Sequence, residues 1–350
     1  MKARRRILII TLCVAVFLAA ITMMVLLRKK AAPEAARLLP EADTVLYVDF
    51  GTVRSLTSFD QTPLPALAPG YEQFVKDTGF SFERDLDEAA MAVHRGRSRG
   101  ETRYSEILVG RYDQTKLAQF LRQHAKNFEN YRNIDVYSIP VEDRTVRVAM
   151  LAIDTVAVSN VEDASVIHGI IDRFRKVALP FGGPTLVRLY YSKVPLGSLL
   201  WSMARLPATQ HGQHGQPSFF LPGGVEIGLP GQSDVVVSLR MLTTIHARAE
   251  FYTQSEDAAR NFTEQTNAFL TIFRGLAANS PAHPADADVK AVFDSIKVTQ
   301  KGDRAEVLAT IPPTFLRKLV NDPARNAMGG EAPAAQPSPA PQNPARKKKK

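Results

Sequence analysis

The chain has 350 residues, of which 45% are hydrophobic and 23% charged, which is enough sequence for one large or two moderate cores. Lysine and arginine outnumber aspartate and glutamate by 44 to 35, but seven basic residues flank the first apolar segment and five end the chain. Without these twelve, 32 basic residues stand against 35 acidic ones, which argues against a nucleic-acid-binding face. Cys13 is the single cysteine, so an internal disulfide is excluded.

The first element is an apolar segment at residues 7–27, ILIITLCVAVFLAAITMMVLL, without charge, proline or glycine. At about 1.5 Å per residue, a helix of this length reaches about 30 Å, the thickness of the hydrocarbon core of a bilayer. A cleaved signal peptide fits less well, because further apolar residues, 21–27, follow the best small-residue cleavage site, Leu18-Ala19-Ala20. The sequence therefore predicts a transmembrane anchor, and the lipid bilayer is the first expected partner.

The orientation of this anchor is less strongly encoded, because four basic residues lie on each side of it. These are Lys2, Arg4, Arg5 and Arg6 before it, and Arg28, Lys29, Lys30 and Arg37 after it. A short basic tail resists translocation, whereas long domains cross a membrane largely regardless of their charge. We therefore expect a cytoplasmic N-terminus and an extracytoplasmic body. A cytoplasmic body on the opposite topology is the alternative.

Composition divides the rest of the chain into four further segments. After the flank and anchor (1–30), we expect a linker at 31–42, α+β lobes at 43–180 and 181–322, and a tail at 323–350. From Met328 the tail consists mostly of Gly, Ala, Pro, Gln and Ser, which cannot bury enough apolar surface to fold. We expect it to be disordered.

Within the body, patterns of period 2 and period 3.6 alternate. Strands are predicted at 44–50, 106–112, 134–139, 145–151, 155–159, 185–192, 234–240, 243–252, 295–299 and 304–311. Hairpins are predicted at 142–144 and 301–303. Helical stripes are formed by Leu117, Phe120, Leu121, His124 and Phe128; by Ala164, Ile167, Ile170, Ile171 and Phe174; and by Ala258, Phe262, Gln265, Phe269, Ile272 and Leu276. The pattern predicts an α+β fold in which helices cover antiparallel sheets.

The two lobes are expected to be related in sequence. An offset of 141 residues matches two groups of apolar residues: Leu46, Val48, Phe50 and Val53 on Val187, Leu189, Tyr191 and Val194, and Leu117, Leu121 and Phe128 on Ala258, Phe262 and Phe269. One offset that matches both a strand and a distant helix favours an internal duplication.

Three segments together resemble a known group of proteins. They are LLPEADTVLYVDFGTVRSL near residue 40, DTGFSFERDLDEAAMAV near residue 85 and SIKVTQKGDRAEVLATIPPTFLRKLV from residue 295. The pattern is similar to uncharacterised bacterial proteins with one N-terminal anchor and an extracytoplasmic α+β domain. The resemblance implies that architecture and carries no activity with it.

Candidate chemistry is sparse. The motif His211-Gly212-Gln213-His214 lacks a nearby Cys or carboxylate that could complete a metal site, and His283, Asp286 and Asp288 precede a helical pattern. The pairs Glu162-Asp163 and Glu256-Asp257 are typical of helix starts. The sequence predicts no catalytic residue, no metal and no cofactor.

Two surfaces carry functional hypotheses based on charge. Arg95, Arg97 and Arg99, with Arg103, lie between two strand-like runs and form either a solvated hairpin tip or a contact for anionic lipid or polymer. The basic end of the tail, formed by Arg346, Lys347, Lys348, Lys349 and Lys350, is expected to bind the same kind of surface.

A third surface is apolar. Phe219, Phe220 and Leu221 lie in a long segment, 206–232, that is rich in Gly and Pro. They either pack into the core, with 225–229 as an edge strand, or form a protrusion that contacts a protein partner or the membrane.

These features predict an envelope protein with a binding, scaffolding or assembly role and no enzymatic activity. The alternative is an envelope enzyme, such as a hydrolase, of an unrecognised family whose site is assembled from scattered residues.

Overall fold

The computed structural model describes residues 31–57, 70–95, 102–142, 144–176, 183–207, 218–221, 225–241, 243–279 and 286–312. Among these residues no helix is both long and apolar enough to span a bilayer. The predicted anchor at 7–27 lies outside the described ranges, as does the predicted tail.

Fourteen strands are present in the described ranges. They are β1 Thr44–Asp49, β2 Leu86–Arg95, β3 Thr102–Gly110, β4 Asn127–Tyr131, β5 Ile134–Val141, β6 Arg144–Met150, β7 Thr155–Ser159, β8 Ser198–Arg205, β9 Ser218–Leu221, β10 Val225–Gly228, β11 Asp234–Met241, β12 Ile245–Tyr252, β13 Lys297–Lys301 and β14 Arg304–Ile311. The helices are α1 Glu34–Leu38, α2 Phe50–Thr57, α3 Tyr71–Thr78, α4 Phe82–Asp85, α5 Gln114–His124, α6 Ser165–Arg175, α7 Thr185–Tyr190, α8 Glu256–Asn279 and α9 Asp286–Ser295, with a 3-10 turn at Tyr191–Lys193.

Twelve of these strands form one antiparallel sheet in the order β13-β14-β12-β11-β8-β1-β2-β3-β7-β6-β5-β4, and β9 and β10 form a separate hairpin. The prediction of an α+β fold with an antiparallel sheet covered by helices is confirmed. Hairpins are present at both predicted places, and each is shorter by one residue than the predicted segment, since Val141 pairs with Arg144 and Lys301 pairs with Arg304.

The first five strands on each side of the sheet centre follow one pattern, in which the third strand is followed in space by the last strand of the series and then by the one before it. From β1 outward the order is β1-β2-β3-β7-β6-β5-β4, and from β8 outward it is β8-β11-β12-β14-β13, so β5 and β4 have no counterpart among the described strands of the second series. The two series meet where β1 pairs antiparallel with β8, with Val45 opposite Met203 and Tyr47 opposite Trp201. A long helix follows the third strand of each series, α5 after β3 and α8 after β12.

The strand predicted at 185–192 is wrong, because this segment forms helix α7. Pro184 precedes the helix, and its fixed φ favours a helix start, while Leu186 and Val187 are buried against the sheet. The offset of 141 residues therefore matches β1 to a helix, whereas the position equivalent to β1 in the second series is occupied by β8.

One face of the sheet is covered at its centre by α1, α6 and α7. The strands offer small side chains there, and Ala90, Ala149 and Ala157 are buried beneath Ile167 and Ile170 of α6. Small residues allow a helix to approach a sheet closely, which builds a dense core.

The opposite face is covered by α5 on one half and by α8 and α9 on the other. Leu117 and Leu121 of α5 pack over Tyr137, and Phe262 of α8 packs against Phe251 with ring centroids 4.7 Å apart. The predicted helical stripe was wrong at Phe128, because α5 ends at His124 and Phe128 lies on β4. That ring is 64% exposed.

Candidate functional site

A cleft of about 950 Å³ lies between α5 and the hairpin formed by β4 and β5. Its lining is dominated by side-chain amides, namely Gln114, Gln119, Gln123, Asn130 and Asn133. Each amide offers two donors and one acceptor oxygen in a plane, so the walls of the cleft are suited to hydrogen bonding.

Local sequence rules place these amides. The Asp113 side chain accepts a hydrogen bond from the Lys116 backbone N–H at 3.1 Å and so caps the start of α5. Because Leu117 and Leu121 face the sheet, Gln119 and Gln123 lie on the flank of the helix that borders the cleft.

The opposite wall depends on a tight turn. Arg132 and Asn133 join β4 to β5 with φ of 52° and 61°, which is the left-handed conformation that two-residue hairpin turns require. Asparagine tolerates this conformation better than most residues. The turn places Asn133 at the mouth of the cleft.

Asp135 is the only carboxylate among the described lining residues. Its Oδ1 accepts a hydrogen bond from Asn130 Nδ2 at 2.8 Å, and its Oδ2 lies 3.5 Å from the Tyr137 hydroxyl and 3.9 Å from Arg122 Nη2. These contacts hold the carboxylate in place and offset its charge.

Several polar groups of the cleft remain available to a ligand. No hydrogen bond from the side chains of Gln119, Gln123 or Asn133 to another described residue is present in the structure. Phe128 lies two residues before Asn130 on β4, and its exposed ring is 6.4 Å from the Tyr137 ring. The arrangement combines free planar amides with an exposed aromatic face. It can bind a polar ligand that also has an apolar side.

A half-buried carboxylate lies further along the same face of the sheet, on β3. In the register of the sheet, Glu106 lies between Met91 of β2 and Val158 of β7. Burial among these apolar neighbours raises the pKa of the Glu106 carboxyl. An ionised carboxylate at this position therefore opposes folding.

Replacing Glu106 by glutamine is expected to raise the melting temperature at pH 7–8. The raised pKa means that the folded wild type binds the proton more tightly than the unfolded chain, so its stability falls as pH rises from about 4 through the folded-state pKa. Glutamine removes this loss, and the two curves should converge near pH 4. Thermal melts of the wild type and the variant across pH 4–8 measure this difference in melting temperature.

The matched control for this experiment is Glu264→Gln, an exposed position on α8. Because this side chain is exposed, its replacement should change the melting temperature little. If Glu106→Gln changes the melting temperature at pH 7–8 no more than the control does, Glu106 is not destabilising in its ionised form.

The predicted arginine surface is only partly within the described residues. Arg95 ends β2, Arg97 and Arg99 lie outside the described ranges, and Arg103 lies on β3. Arg103 Nη2 is 3.9 Å from Glu162 Oε2. Contact of this surface with an anionic lipid or polymer stays a prediction.

The predicted apolar protrusion is a hairpin of its own. Phe219, Phe220 and Leu221 belong to β9, where Phe220 pairs with Glu226 of β10. In the described ranges β10 pairs with β9 and not with the main sheet. The side chains of these residues lie outside the described part of the structure, so their role as core or interface stays a prediction.

The other polar motifs occupy several environments. Asp163 Oδ1 accepts a hydrogen bond from the Ser165 N–H at the start of α6, as expected for a helix-start acid. In the described ranges no three His, Cys, Asp or Glu side chains are grouped as a metal site. The motif at 211–214, His283, and the basic tail residues Arg346 and Lys347–Lys350 lie outside those ranges.

Comparison with known proteins assigns no family to the chain. No protein-family model and no curated protein matches it. Among solved structures, crystal form III of TP0453 gives a TM-score of 0.46 at 11% identity, covering 83% of this chain and 99% of that one. Crystal form IV gives 0.43 at 12% identity, with 82% and 96% covered, and crystal form I gives 0.40 at 12%, with 84% and 98% covered.

Proposed function

We propose that this chain is a membrane-anchored, non-enzymatic binding protein of the cell envelope, whose cleft between α5 and the β4–β5 hairpin binds a hydroxyl-rich ligand such as a glycan chain. The observation that carries the proposal is the group of three amides, Gln119, Gln123 and Asn133, that bond to no other described residue, with the exposed Phe128 ring next to the lining residue Tyr137. An open cleft of about 950 Å³ can accept several sugar units.

The chemistry of a sugar matches the lining. Neighbouring hydroxyls each donate and accept, and a planar amide such as that of Gln119 or Gln123 does the same in one plane. Asp135 and Arg122 add a charged acceptor and a charged donor, which make stronger hydrogen bonds. The exposed ring of Phe128 offers a flat apolar surface for the carbon face of a pyranose.

The place of the protein in the cell is also part of the proposal and is supported by the sequence. Residues 7–27 would anchor the chain in the bilayer with the body on the extracytoplasmic side. The basic end of the tail would add affinity for anionic lipid or polymer. The hairpin of β9 and β10 would be available to a protein partner.

We also infer that the two series of strands arose by duplication. Both begin after a helix preceded by proline in nearly the same conformation, with φ and ψ of −50° and 145° at Pro33 and −58° and 151° at Pro184. An arginine follows each proline at the same spacing, Arg37 and Arg188. The shared order of the five central strands of each series supports the same origin.

Glycan binding is tested by titrating the full-length protein, in detergent micelles, with chitotetraose and cellotetraose by calorimetry. We expect the double variant Gln119→Ala/Gln123→Ala to lose at least about tenfold in affinity, since roughly 1.4 kcal/mol of hydrogen bonding is removed. Phe128→Ala should have a similar effect.

The matched control is Gln73→Ala/Gln265→Ala, two helical glutamines outside the cleft. It should bind as the wild type does. The proposal is wrong if neither oligosaccharide binds the wild type, or if the control weakens binding as much as the cleft variant.

A further inference from the structure

A second cleft, of about 490 Å³, lies on the sheet face opposite α8. The residues of β12 alternate there, so that Phe251 faces α8 while Arg248 and Glu250 face away from it. The floor of the cleft is formed by β11, β12, β13 and β14, and Pro195 and Ser295 contribute to its walls. We call this the cationic cleft, because Arg240, Arg248 and Lys297 line it together with His246.

The carboxylates at this cleft are already paired. Glu250 is contacted by Arg248 at 2.9 Å and by Arg304 at 2.8 Å. Glu306 is contacted by Arg248 at 2.8 Å and by Lys301 at 3.2 Å. Both carboxylates are buried, so they are poorly placed to neutralise further charge.

A positive excess remains after this pairing. Three cations, Arg248, Lys301 and Arg304, contact the two carboxylates. Arg240 and Lys297 line the same cleft and make no ion pair or hydrogen bond with any other described residue. Among the described lining residues, Arg240, Arg248 and Lys297 stand against one carboxylate, Glu306, so the formal excess in the lining is two positive charges when His246 is left out of the count.

The donors of the cleft are also arranged to converge. Arg248 Nη2 donates a hydrogen bond to Glu250, and Nε lies 2.8 Å from Glu306 Oε1 without a hydrogen bond, so the guanidinium lies between the two glutamates. Its Nη1 makes no hydrogen bond with another described residue. The register between β8 and β11 shifts at Leu239 and Arg240, and such a bulge redirects the side chain at that point. The Ser238 hydroxyl, on the same floor, makes no hydrogen bond with any residue that the structure describes.

We propose that the cationic cleft binds a phosphate-type oxyanion, either a free phosphate compound or a phospholipid headgroup. A guanidinium held by buried carboxylates offers rigid donors, and Arg240 and Lys297 supply the charge that a dianion requires. This site is separate in position and chemistry from the amide cleft. A negative result for phosphate binding would leave the glycan proposal standing, and a negative result for glycan binding would leave the phosphate proposal standing.

The test uses full-length protein in lipid nanodiscs. In discs of phosphatidylcholine alone, pyrophosphate is titrated by calorimetry at low and high salt. In a second arm, discs that contain phosphatidylglycerol are compared with phosphatidylcholine discs by hydrogen exchange of β13 and β14. The variant is Arg240→Gln/Lys297→Gln, and the control is Lys76→Gln/Lys126→Gln, which removes the same charge from exposed positions elsewhere.

We expect the wild type to bind pyrophosphate in a salt-sensitive manner, and the cleft variant to lose at least tenfold in affinity while the control stays within twofold. Pyrophosphate binding identifies a free phosphate ligand, whereas protection of β13 and β14 only in phosphatidylglycerol discs, lost in the cleft variant, identifies a headgroup. The proposal is overturned if neither arm responds, or if the control loses as much as the cleft variant.

Discussion

Replacing Trp201 by alanine is expected to lower the free energy of unfolding by about 3–5 kcal/mol. Trp201 is 1% exposed and lies on β8 at the centre of the sheet. Its ring stacks on Tyr47 of β1 at 5.3 Å and meets Tyr191 edge-on at 5.5 Å. The substitution therefore opens a cavity where the two series of strands meet. Chemical denaturation followed by circular dichroism measures the loss.

The same experiment reports on cooperativity. Because the hydrogen-bonded sheet is continuous across β1 and β8, both halves of the sheet should lose stability together in one transition. Leu196→Ala, at a position 66% exposed, is the control and should change stability by less than about 0.5 kcal/mol. A small effect of Trp201→Ala, similar to that of the control, would show that the sheet centre is not a tightly packed core.

Glu250→Ala is expected to cost about 3–5 kcal/mol, because it removes one partner from a buried ionic network. Glu250 is 2% exposed and accepts contacts from Arg248 at 2.9 Å, Arg304 at 2.8 Å and the Tyr252 hydroxyl at 3.2 Å. Without its carboxylate, the guanidinium groups of Arg248 and Arg304 lose the oxygen that both of them contact, Glu250 Oε1. Urea denaturation at pH 7 measures the change.

The control for this variant is Asp257→Ala, which breaks the exposed ion pair between Asp257 and Arg260 at the start of α8. Exposed pairs contribute at most about 1 kcal/mol. The isosteric change Glu250→Gln should lie between the two, since its amide oxygen can still accept from Arg248 and Arg304, whereas the charge and the acceptor for the Tyr252 hydroxyl are lost. Equal losses for Glu250→Ala and Asp257→Ala would mean that the network is solvated.

Much of the fold could be predicted from local patterns. In β12 the alternation of apolar and polar residues was strict, and the hairpin between β13 and β14 carried Gly302, whose φ of 63° suits glycine. The strand prediction for 185–192 was wrong because its apolar residues suit either a strand or a short helix. The signal that favours the helix is Pro184, which precedes it. The prediction for Phe128 was wrong because Ala125, the residue after α5, is neither a glycine nor a proline that would signal the end of a helix.

The amide cleft could not be predicted in the same way. Gln119 and Gln123 are spaced as neighbours on a helix, and Asn133 follows a strand, but each is ordinary for a solvated surface. They form a site only because the β4–β5 hairpin folds back beside α5. This packing is part of the tertiary structure, and local sequence patterns do not reveal it. The cationic cleft is similar, since Arg240 and Lys297 come from strands more than fifty residues apart.

The burial of α1 limits how far the body could move from a membrane. Ala35, Ala36 and Leu38 are part of the core beside α6, so the helix cannot unravel to lengthen the tether. If residues 7–27 span the bilayer as proposed, only residues 28–31 lie between the lipid and the buried Ala32, and their full extension is about 14 Å. The sheet face that carries α1 also carries the cationic cleft. A short linker would therefore keep this face of the sheet close to the lipid headgroups.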